Sequence, residues 1–320
     1  MSGGALRTAL DAACEAAGLG RDKLRFAVGF SGGLDSTVLL HVACERAASA
    51  GAAPPLAVHV HHGLQSAADN WAAHCDAMAT RFGAAFEMHR VSVARGGGES
   101  LEAAARDARF AVFAALDVDA LLLAHHRDDQ AETVLFNALR GAGLGGLAGM
   151  PRCRPLAGGR SLLLRPFLDH PRAQLEAYAH GHGLQWIDDP SNQDTRWCRN
   201  LLRHEVLPPA ERGLPQARLA LARLAGHAAE AQRLADELAD LDAASWTDDR
   251  GLRCRAFADL PAHRARNLLR RQLALAGLRM ADAARLAEML RQLSGDGCPE
   301  VLHEGHRITR KAGRLRIVPP

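Results

Sequence analysis

Hydrophobic positions in the first half of the chain come in short runs separated by longer amphipathic stretches. Leu24–Phe30, Leu56–His62, Phe86–Val93 and Ala120–His126 are runs of seven or eight mainly apolar residues. Thr37–Ala47, Ala67–Phe82, Glu99–Leu116 and Asp128–Leu139 look helical. Such alternation predicts an α/β domain with a parallel sheet covered by helices on both faces. Ligands of such sheets sit at the carboxyl ends of the strands. Three polar clusters fall there, Ser31–Ser36, His59–His62 and His125–Asp129, and they are expected to converge.

The pattern then changes. Arg140–Met150 is too Gly-rich for a helix interior and reads as a mobile loop. Leu162–Phe167 predicts a strand, Pro171–His182 a helix, and Asp188–Asn192 a turn. Pro208 and Pro209 suggest the end of a first domain covering 1–209. Beyond it, Arg212–Asp242, Pro261–Ala276 and Ala281–Leu293 have helical spacing. His306–Val318 is basic and alternates Ile308, Leu315 and Ile317 as a small hairpin would. The second domain, 210–320, is therefore expected to be smaller and mainly helical with a short basic hairpin.

Composition narrows the class. The 320 residues are 48% hydrophobic and 23% charged, ordinary for a soluble globular protein. No apolar run approaches the ~20 residues of a membrane span. The first residues carry no signal-peptide pattern. Seven scattered cysteines without a Cys-x-x-Cys pair argue against a disulfide framework, a zinc ribbon or a dithiol site. A reducing cytoplasm is the expected compartment. The net charge of +3 does not by itself announce a nucleic-acid partner. The kind of base changes that picture: the only lysines are Lys23 and Lys311, and arginine binds phosphate bidentately and stacks on bases. Genomic base composition explains the arginines equally well, since alanine is also abundant. His59, His61 and His62 lack the compact carboxylate or cysteine set of a metal centre.

The strongest chemical signal is Ser31-Gly-Gly-Leu-Asp-Ser36 between a strand and a helix. Small residues let backbone N–H groups converge on phosphate oxygens, and the helix N-terminus adds unpaired donors. The usual phosphate loop would place a lysine there. Here Asp35 stands instead, which makes sense beside phosphates if Mg²⁺ lies between them. The plainer reading is a Gly-Gly turn with an incidental acidic cap.

Asp129, Glu132 and Thr133 share one face at the start of a predicted helix, beside His125 and His126. Acidic residues complement a helix dipole, but this patch also suits Mg²⁺ or a cationic substrate group. Glu102, Arg106 and Arg109 share a face of the preceding helix, either as a solvated salt-bridged surface or as a phosphate clamp. Arg196, Arg199, Asn200 and Arg203 form a donor-rich strip suited to phosphate or RNA backbone.

Taken together, several motifs within residues 24–210 resemble the tRNA(Ile)-lysidine synthases. They are Ser31–Ser36, His59-Val-His-His-Gly-Leu64, Leu101–Arg109, Ala124-His-His-Arg-Asp-Asp-Gln-Ala-Glu-Thr133, Arg140–Met150 and Asp189-Pro-Ser-Asn192 through Arg203. The first is common to ATP pyrophosphatases; the fourth followed by the fifth is much more specific. His61 departs from the asparagine more usual in that family.

The resemblance implies ATP and Mg²⁺ as cofactors, and as partners a CAU-anticodon isoleucine tRNA and free L-lysine, with no membrane and a homodimer left open. It implies that ATP adenylates the wobble cytidine and that lysine displaces AMP. Ser31, Gly32, Gly33, Leu34, Asp35 and Ser36 would hold pyrophosphate, with Asp35 on Mg²⁺ and His59 and His125 at the nucleotide. Asp129 and Glu132 would receive the lysine ammonium, Asp129 being the first choice as proton acceptor and Glu132 the second. Arg106 and His126 are the further catalytic candidates. Arg109, Arg140, Asn192, Arg199, Asn200 and Arg203 would contact the substrates. The segment after 210 is shorter than in family members with two C-terminal domains, so one helical domain gripping the tRNA body is expected. The rivals are a tRNA thiolase of the same class, a non-catalytic ATP-binding regulator and an amide-forming synthetase for a small metabolite.

Overall fold

In the computed structural model, which describes residues 3–20, 24–63, 68–92, 101–156, 161–295, 297 and 299–319, the apolar runs become one sheet. The elements, in chain order, are α1 (Gly3–Ala16), β1 (Phe26–Gly29), α2 (Leu34–Ala50), β2 (Leu56–His61), α3 (Ala68–Phe82) and β3 (Ala85–Arg90). There follow α4 (Leu101–Ala114), β4 (Ala120–Leu122), α5 (Arg127–Leu139), the single turn α6 (Leu144–Leu147), β5 (Cys153–Pro155), β6 (Leu162–Leu164) and α7 (Arg172–Gly181). Leu64, Ala67, Val93, Glu99 and the side chain of Glu102, all part of the sequence reading, lie outside the described residues.

The strand order is β3-β2-β1-β4-β6-β5. The first five strands are parallel and β5 is an antiparallel edge. The chain runs outward from β1 to β3 and returns on the other side of β1 as β4. That reversal opens a crevice between the carboxyl ends of β1 and β4, where ligands bind in open α/β sheets. Side-chain alternation builds two apolar layers. Ala27, Val58, Leu121 and Leu163 face one way with Phe113 of α4. Val28, Ala57, Leu122 and Leu164 face the other way with Leu6, Leu10, Val38, Leu39 and Leu175.

Three expectations change. The amphipathic α1 and the short β5 were not read from the pattern. The run Ala120–His126 is a strand only to Leu122, because His126 leaves the sheet to cap α5. The Gly-rich stretch 140–150 is tied down rather than loose. Gln130 Nε2 donates to the Met150 carbonyl at 3.0 Å and Gln130 Oε1 accepts from Met150 N at 2.8 Å. Asn137 Nδ2 donates to the Gly146 carbonyl at 2.7 Å. Gly149 makes this approach possible: its φ is +64°, and a Cβ there would lie 2.7 Å from Gln130 Oε1.

After α7 come a 3₁₀ turn (Pro190–Gln193), α8 (Cys198–Leu201), a π-helical turn (Leu202–Val206), α9 (Leu207–Gly213) and α10 (Ala217–Trp246). Pro208 and Pro209 open α9, since the first helical turn needs no intrahelical N–H donors. The compact units are 1–226 and 227–320, so the division falls inside α10, later than the expected 209/210.

The second unit adds β7 (Thr247–Asp248), β8 (Gly251–Leu252), α11 (Ala256–Asp259), α12 (Ala262–Leu275), α13 (Ala283–Ser294) and β9 (Glu300–His303), β10 (His306–Lys311), β11 (Arg314–Val318). The expected hairpin is β10–β11, and β9 extends it to an antiparallel three-stranded sheet. Val301, Ile308 and Leu315 pack with Leu268, Leu269, Leu286 and Met289 from the helices. No helix among the described residues is long and apolar enough to cross a membrane.

Candidate active site

The turn after β1 is shaped by Gly32. Its φ is +80°, and a Cβ would lie 2.8 Å from both Cys75 Sγ and Ile187 Cδ1. Its carbonyl accepts from Ile187 N at 2.8 Å. Ser36 Oγ, 3.1 Å from Ser31 Oγ, donates to the Gly33 carbonyl at 3.0 Å. The first intrahelical bond runs from Thr37 N to the Gly33 carbonyl. Leu34, Asp35 and Ser36 therefore present N–H groups with no helical acceptor, and the N-cap is a glycine without a side chain to satisfy them. These donors and the helix dipole make a cradle for a polyphosphate.

Asp35 sits in that first turn. Its Oδ1 is buried without a hydrogen-bond partner, and its Oδ2 lies 3.6 Å from His126 Nε2. A buried carboxylate oxygen with nothing to accept from is costly. A divalent cation between it and phosphate oxygens removes that cost, so the donor set fits Mg²⁺ held jointly by Asp35 and a ligand. No cluster of three metal-ligating side chains exists among the described residues.

Across the crevice, His126 and Asp129 form a reciprocal cap on α5. Asp129 Oδ2 accepts from His126 N at 3.0 Å, and His126 Nδ1 accepts from Asp129 N at 3.3 Å. Burial pushes the His126 pKa down, but Asp129 and Asp35 outweigh it and hold the ring above the ordinary histidine range. Burial likewise opposes ionisation of Asp129, yet His126, His125 and Arg203 hold its carboxyl below the usual range.

Arg203 enters from the π-helical turn. Its Nε donates to Glu132 Oε1 at 2.7 Å, and Nη2 donates to Glu132 Oε2 at 2.9 Å and to Asp129 Oδ1 at 3.1 Å. Burial raises the Glu132 pKa above its ordinary value, with Arg203 acting against the rise. The two carboxyls are thus shifted in opposite directions, Asp129 down and Glu132 up.

The arginine strip does not survive as one donor face. Arg203 turns inward to the carboxylates, while Arg196 pairs with Asp194 at 2.7 Å. The helix begins only at Cys198, and the π-turn shifts the side-chain phase after Leu201. Asn200 Nδ2 is committed to the Ser191 and Asp194 carbonyls, so it clasps the loop. Asn192 is exposed in the 3₁₀ turn and its carbonyl accepts from His204 Nε2 at 2.9 Å. Arg199 is half-buried and makes no ion pair among the described residues. Arg140 lies over its own helix neighbour Phe136, 5.1 Å from the ring centre.

His59 and His61 are buried. His59 Nδ1 donates to the Phe30 carbonyl at 2.9 Å, so it braces the turn from beneath instead of offering that nitrogen to a nucleotide. His61 Nε2 faces Asp69 Oδ1 at 3.2 Å. His125 does lie at the carboxyl edge of β4. Arg165, directly after β6, donates Nε–H to His125 Nδ1 at 3.1 Å. Burial first, then the charges of Arg165, Arg109 and Arg106, push the His125 pKa to about 3 against the pull of Asp129. Arg106 also lies over Phe110, 5.0 Å from the ring centre. Arg165 was absent from the sequence reading. The available signal was a charged residue ending the apolar run Leu162–Leu164.

A model of the PP-loop domain matches residues 6–210, and a model of the TilS substrate binding domain matches residues 252–316. The tRNA(Ile)-lysidine synthase of Burkholderia mallei is 50% identical over 303 residues, covering 92% of this chain and 60% of that protein. The tRNA(Ile)-lysidine synthase of Pseudomonas aeruginosa is 47% identical over 307 residues, covering 91% of this chain and 68% of that protein. The chain thus spans about 60% of the length of several curated relatives it matches. Among solved structures, the U34-tRNA thiolase NcsA from Methanococcus maripaludis superposes with a TM-score of 0.52 at 17% identity, covering 64% of this chain and 72% of that one, which is a likeness of fold. With both domain models matched and about half of the residues identical over nine-tenths of its length, the chain belongs to the tRNA(Ile)-lysidine synthase family.

Proposed function

We propose that this chain makes lysidine on an isoleucine tRNA with a CAU anticodon, using ATP and free L-lysine. The supporting observation is the charge at the β1–β4 crevice. Three carboxylates, Asp35, Asp129 and Glu132, face one guanidinium, Arg203, beside an anion cradle at the start of α2. Even with His126 protonated, as its raised pKa favours, one negative charge is left in surplus next to a polyphosphate site. Such a site suits a reaction that brings a nucleotide and an amine together.

In this reading the 2-keto oxygen of the wobble cytidine attacks the α-phosphorus of ATP. An O–P bond forms, the α–β phosphoanhydride breaks, and pyrophosphate leaves in the cradle of Leu34–Ser36. Asp35 would hold Mg²⁺, which supplies charge neutralisation on the phosphates. The lysine side-chain nitrogen then attacks C2 of the cytosine ring, the C2–O bond breaks, and AMP leaves with that oxygen. The amine must lose a proton to attack, and Glu132 is the better acceptor because burial makes it more basic. Asp129 stays ionised and holds the ammonium on arrival. The negative surplus draws the lysine in, and Arg203 keeps the two carboxylates from repelling each other.

The second unit serves this reading through its sheet. Arg307, Lys311 and Arg316 are exposed on β10 and β11, where cations can meet RNA phosphates.

The test is incorporation of labelled lysine into a CAU-anticodon isoleucine tRNA transcript with ATP and Mg²⁺. The expected result is incorporation that requires ATP and vanishes when the wobble cytidine is replaced. Pyrophosphate release that depends on tRNA but brings no lysine into it would overturn the ligation and point to another nucleophile, such as sulfur.

A further inference from the structure

Arg165 is an unusual residue for its surroundings. It is 3% exposed, and among the described residues it has no carboxylate partner. Buried arginines are ordinarily paired. This one spends its donors on a histidine and a carbonyl: Nε–H on His125 Nδ1 at 3.1 Å and Nη1–H on the Pro151 carbonyl at 2.7 Å. Its position follows from the sheet. β4 and β6 are parallel with Leu122 opposite Leu164, so Arg165 leaves the carboxyl edge of the sheet beside the β4 exit, and its side chain reaches His125, three residues past Leu122.

The direction of that bond has a chemical consequence. A guanidinium has five N–H donors and no acceptor. His125 Nδ1 must therefore present its lone pair, and the ring's proton lies on Nε2. We infer that Arg165 is a positioning residue that locks His125 as an Nε2–H hydrogen-bond donor toward a phosphate oxygen of the nucleotide, and not as a proton carrier. This deepens the proposed function and rests on it for the identity of the acceptor, whereas the tautomer rests on geometry alone.

The groups around His125 agree. Arg165 after β6 and Arg106 and Arg109 from α4 oppose a second ring proton, and Asp129 from α5 is the one acidic group favouring it. Arg154 of β5 and Arg106 add to the positive field at Arg165 and, with burial, lower its pKa to about 10, so it stays charged at neutral pH. A neutral donor inside a cationic wall keeps the same hydrogen-bonding character across the working pH range.

The experiment uses the full chain labelled with ¹⁵N-histidine, with the His125 signals assigned by their loss in H125Q. Nitrogen NMR should show the neutral Nε2–H form of His125 from pH 8 down to pH 5. R165M should free Nδ1 from its donor, so that the Nδ1–H form of the neutral ring becomes populated beside the Nε2–H form. R165K is the second variant, because it retains the charge but lacks the Nε–H fork; it should also lose the fixed tautomer. The unchanged His59 signal reports that the sheet edge is still folded. An Nδ1–H or doubly protonated His125 in the parent protein, or an unaltered tautomer in R165K and R165M, would overturn the inference.

Activity separates a donor from a proton carrier. Glutamine can accept from Arg165 at Oε1 and donate through Nε2. H125Q should therefore keep about tenfold more lysine-incorporation kcat than H125A, the size of one hydrogen bond to a charged group. Equal losses in the two variants would refute the donor role. If the parent protein incorporates no lysine but His125 shows the fixed Nε2–H form, the proposed function fails and the tautomer assignment stands.

Discussion

The two units handle charge in opposite ways. In the first, ionisable groups are drawn inward at the carboxyl edge of the sheet: His126 and Glu132 are each 2% exposed and Arg165 3%. In the second, the core of α11–α13 and β9–β11 is apolar, and most ion pairs, such as Arg271 with Asp240 and Arg279 with Glu304, stay at the surface. Surface pairs are screened by water and contribute little. Buried charges cost desolvation that only close partners offset. The first unit accepts that cost at the crevice where the proposed reaction would hold a nucleotide and an amine together. The second keeps its basic groups outside, where the proposed RNA contacts would be made.

The comparison is broken most severely by removing Asp35. D35A should lower ATP-dependent pyrophosphate release by about 10³-fold, equivalent to about 4 kcal/mol of transition-state stabilisation. Near-parent turnover would remove the cation role from this residue. R203M leaves Glu132 buried and unpaired and should cost about 3 kcal/mol in urea unfolding; a change within error would mean that the pair contributes no stability. G32A forces a side chain into a left-handed turn against Cys75 and Ile187. The expected cost is about 2 kcal/mol, with weakened ATP binding by calorimetry.

Acid sharpens the contrast further. The folded-state pKa of His125 is lowered to about 3, so the folded form resists a proton that the unfolded chain accepts. The stability this contributes is present above the ordinary histidine value of about 6.5 and is lost as pH falls toward 3, by up to about 1.4 kcal/mol per pH unit. H125Q should flatten that part of the stability profile. The smallest effect is expected in the second unit. R271M should leave the thermal midpoint where it is, and a clear drop would show that its exposed pairs act as a network.

Much of this was legible in the chain before any coordinates. Short apolar runs separated by amphipathic stretches could bury both faces only as a parallel sheet with helices on each side. The strand–turn–helix at Ser31–Ser36 was legible because its small residues and helix start leave backbone donors unpaired. Asp129 and Glu132 were identified from helical spacing. Their relative basicity was not legible, because it depends on how deeply each is buried and on how Arg203 divides its bonds between them. The arginine strip misled for a related reason: equal spacing along a sequence implies one face only while helix phase is kept, and the π-turn at Leu202–Val206 shifts it. The Gly-rich stretch looked loose because composition does not reveal that Gln130 and Asn137 fasten it.

Sequence alone therefore determined the kind of sheet, the cradle and the acidic helix start, since these depend on local periodicity and on side chains a few residues apart. The tertiary structure decided which charges face each other. Asp35 meets His126 across a crevice made by the order of β1 and β4, Arg203 reaches Glu132 over 71 residues, and Arg165 reaches His125 over 40. Those encounters set the proton positions, because ionisation responds to distance and burial in space rather than to separation along the chain.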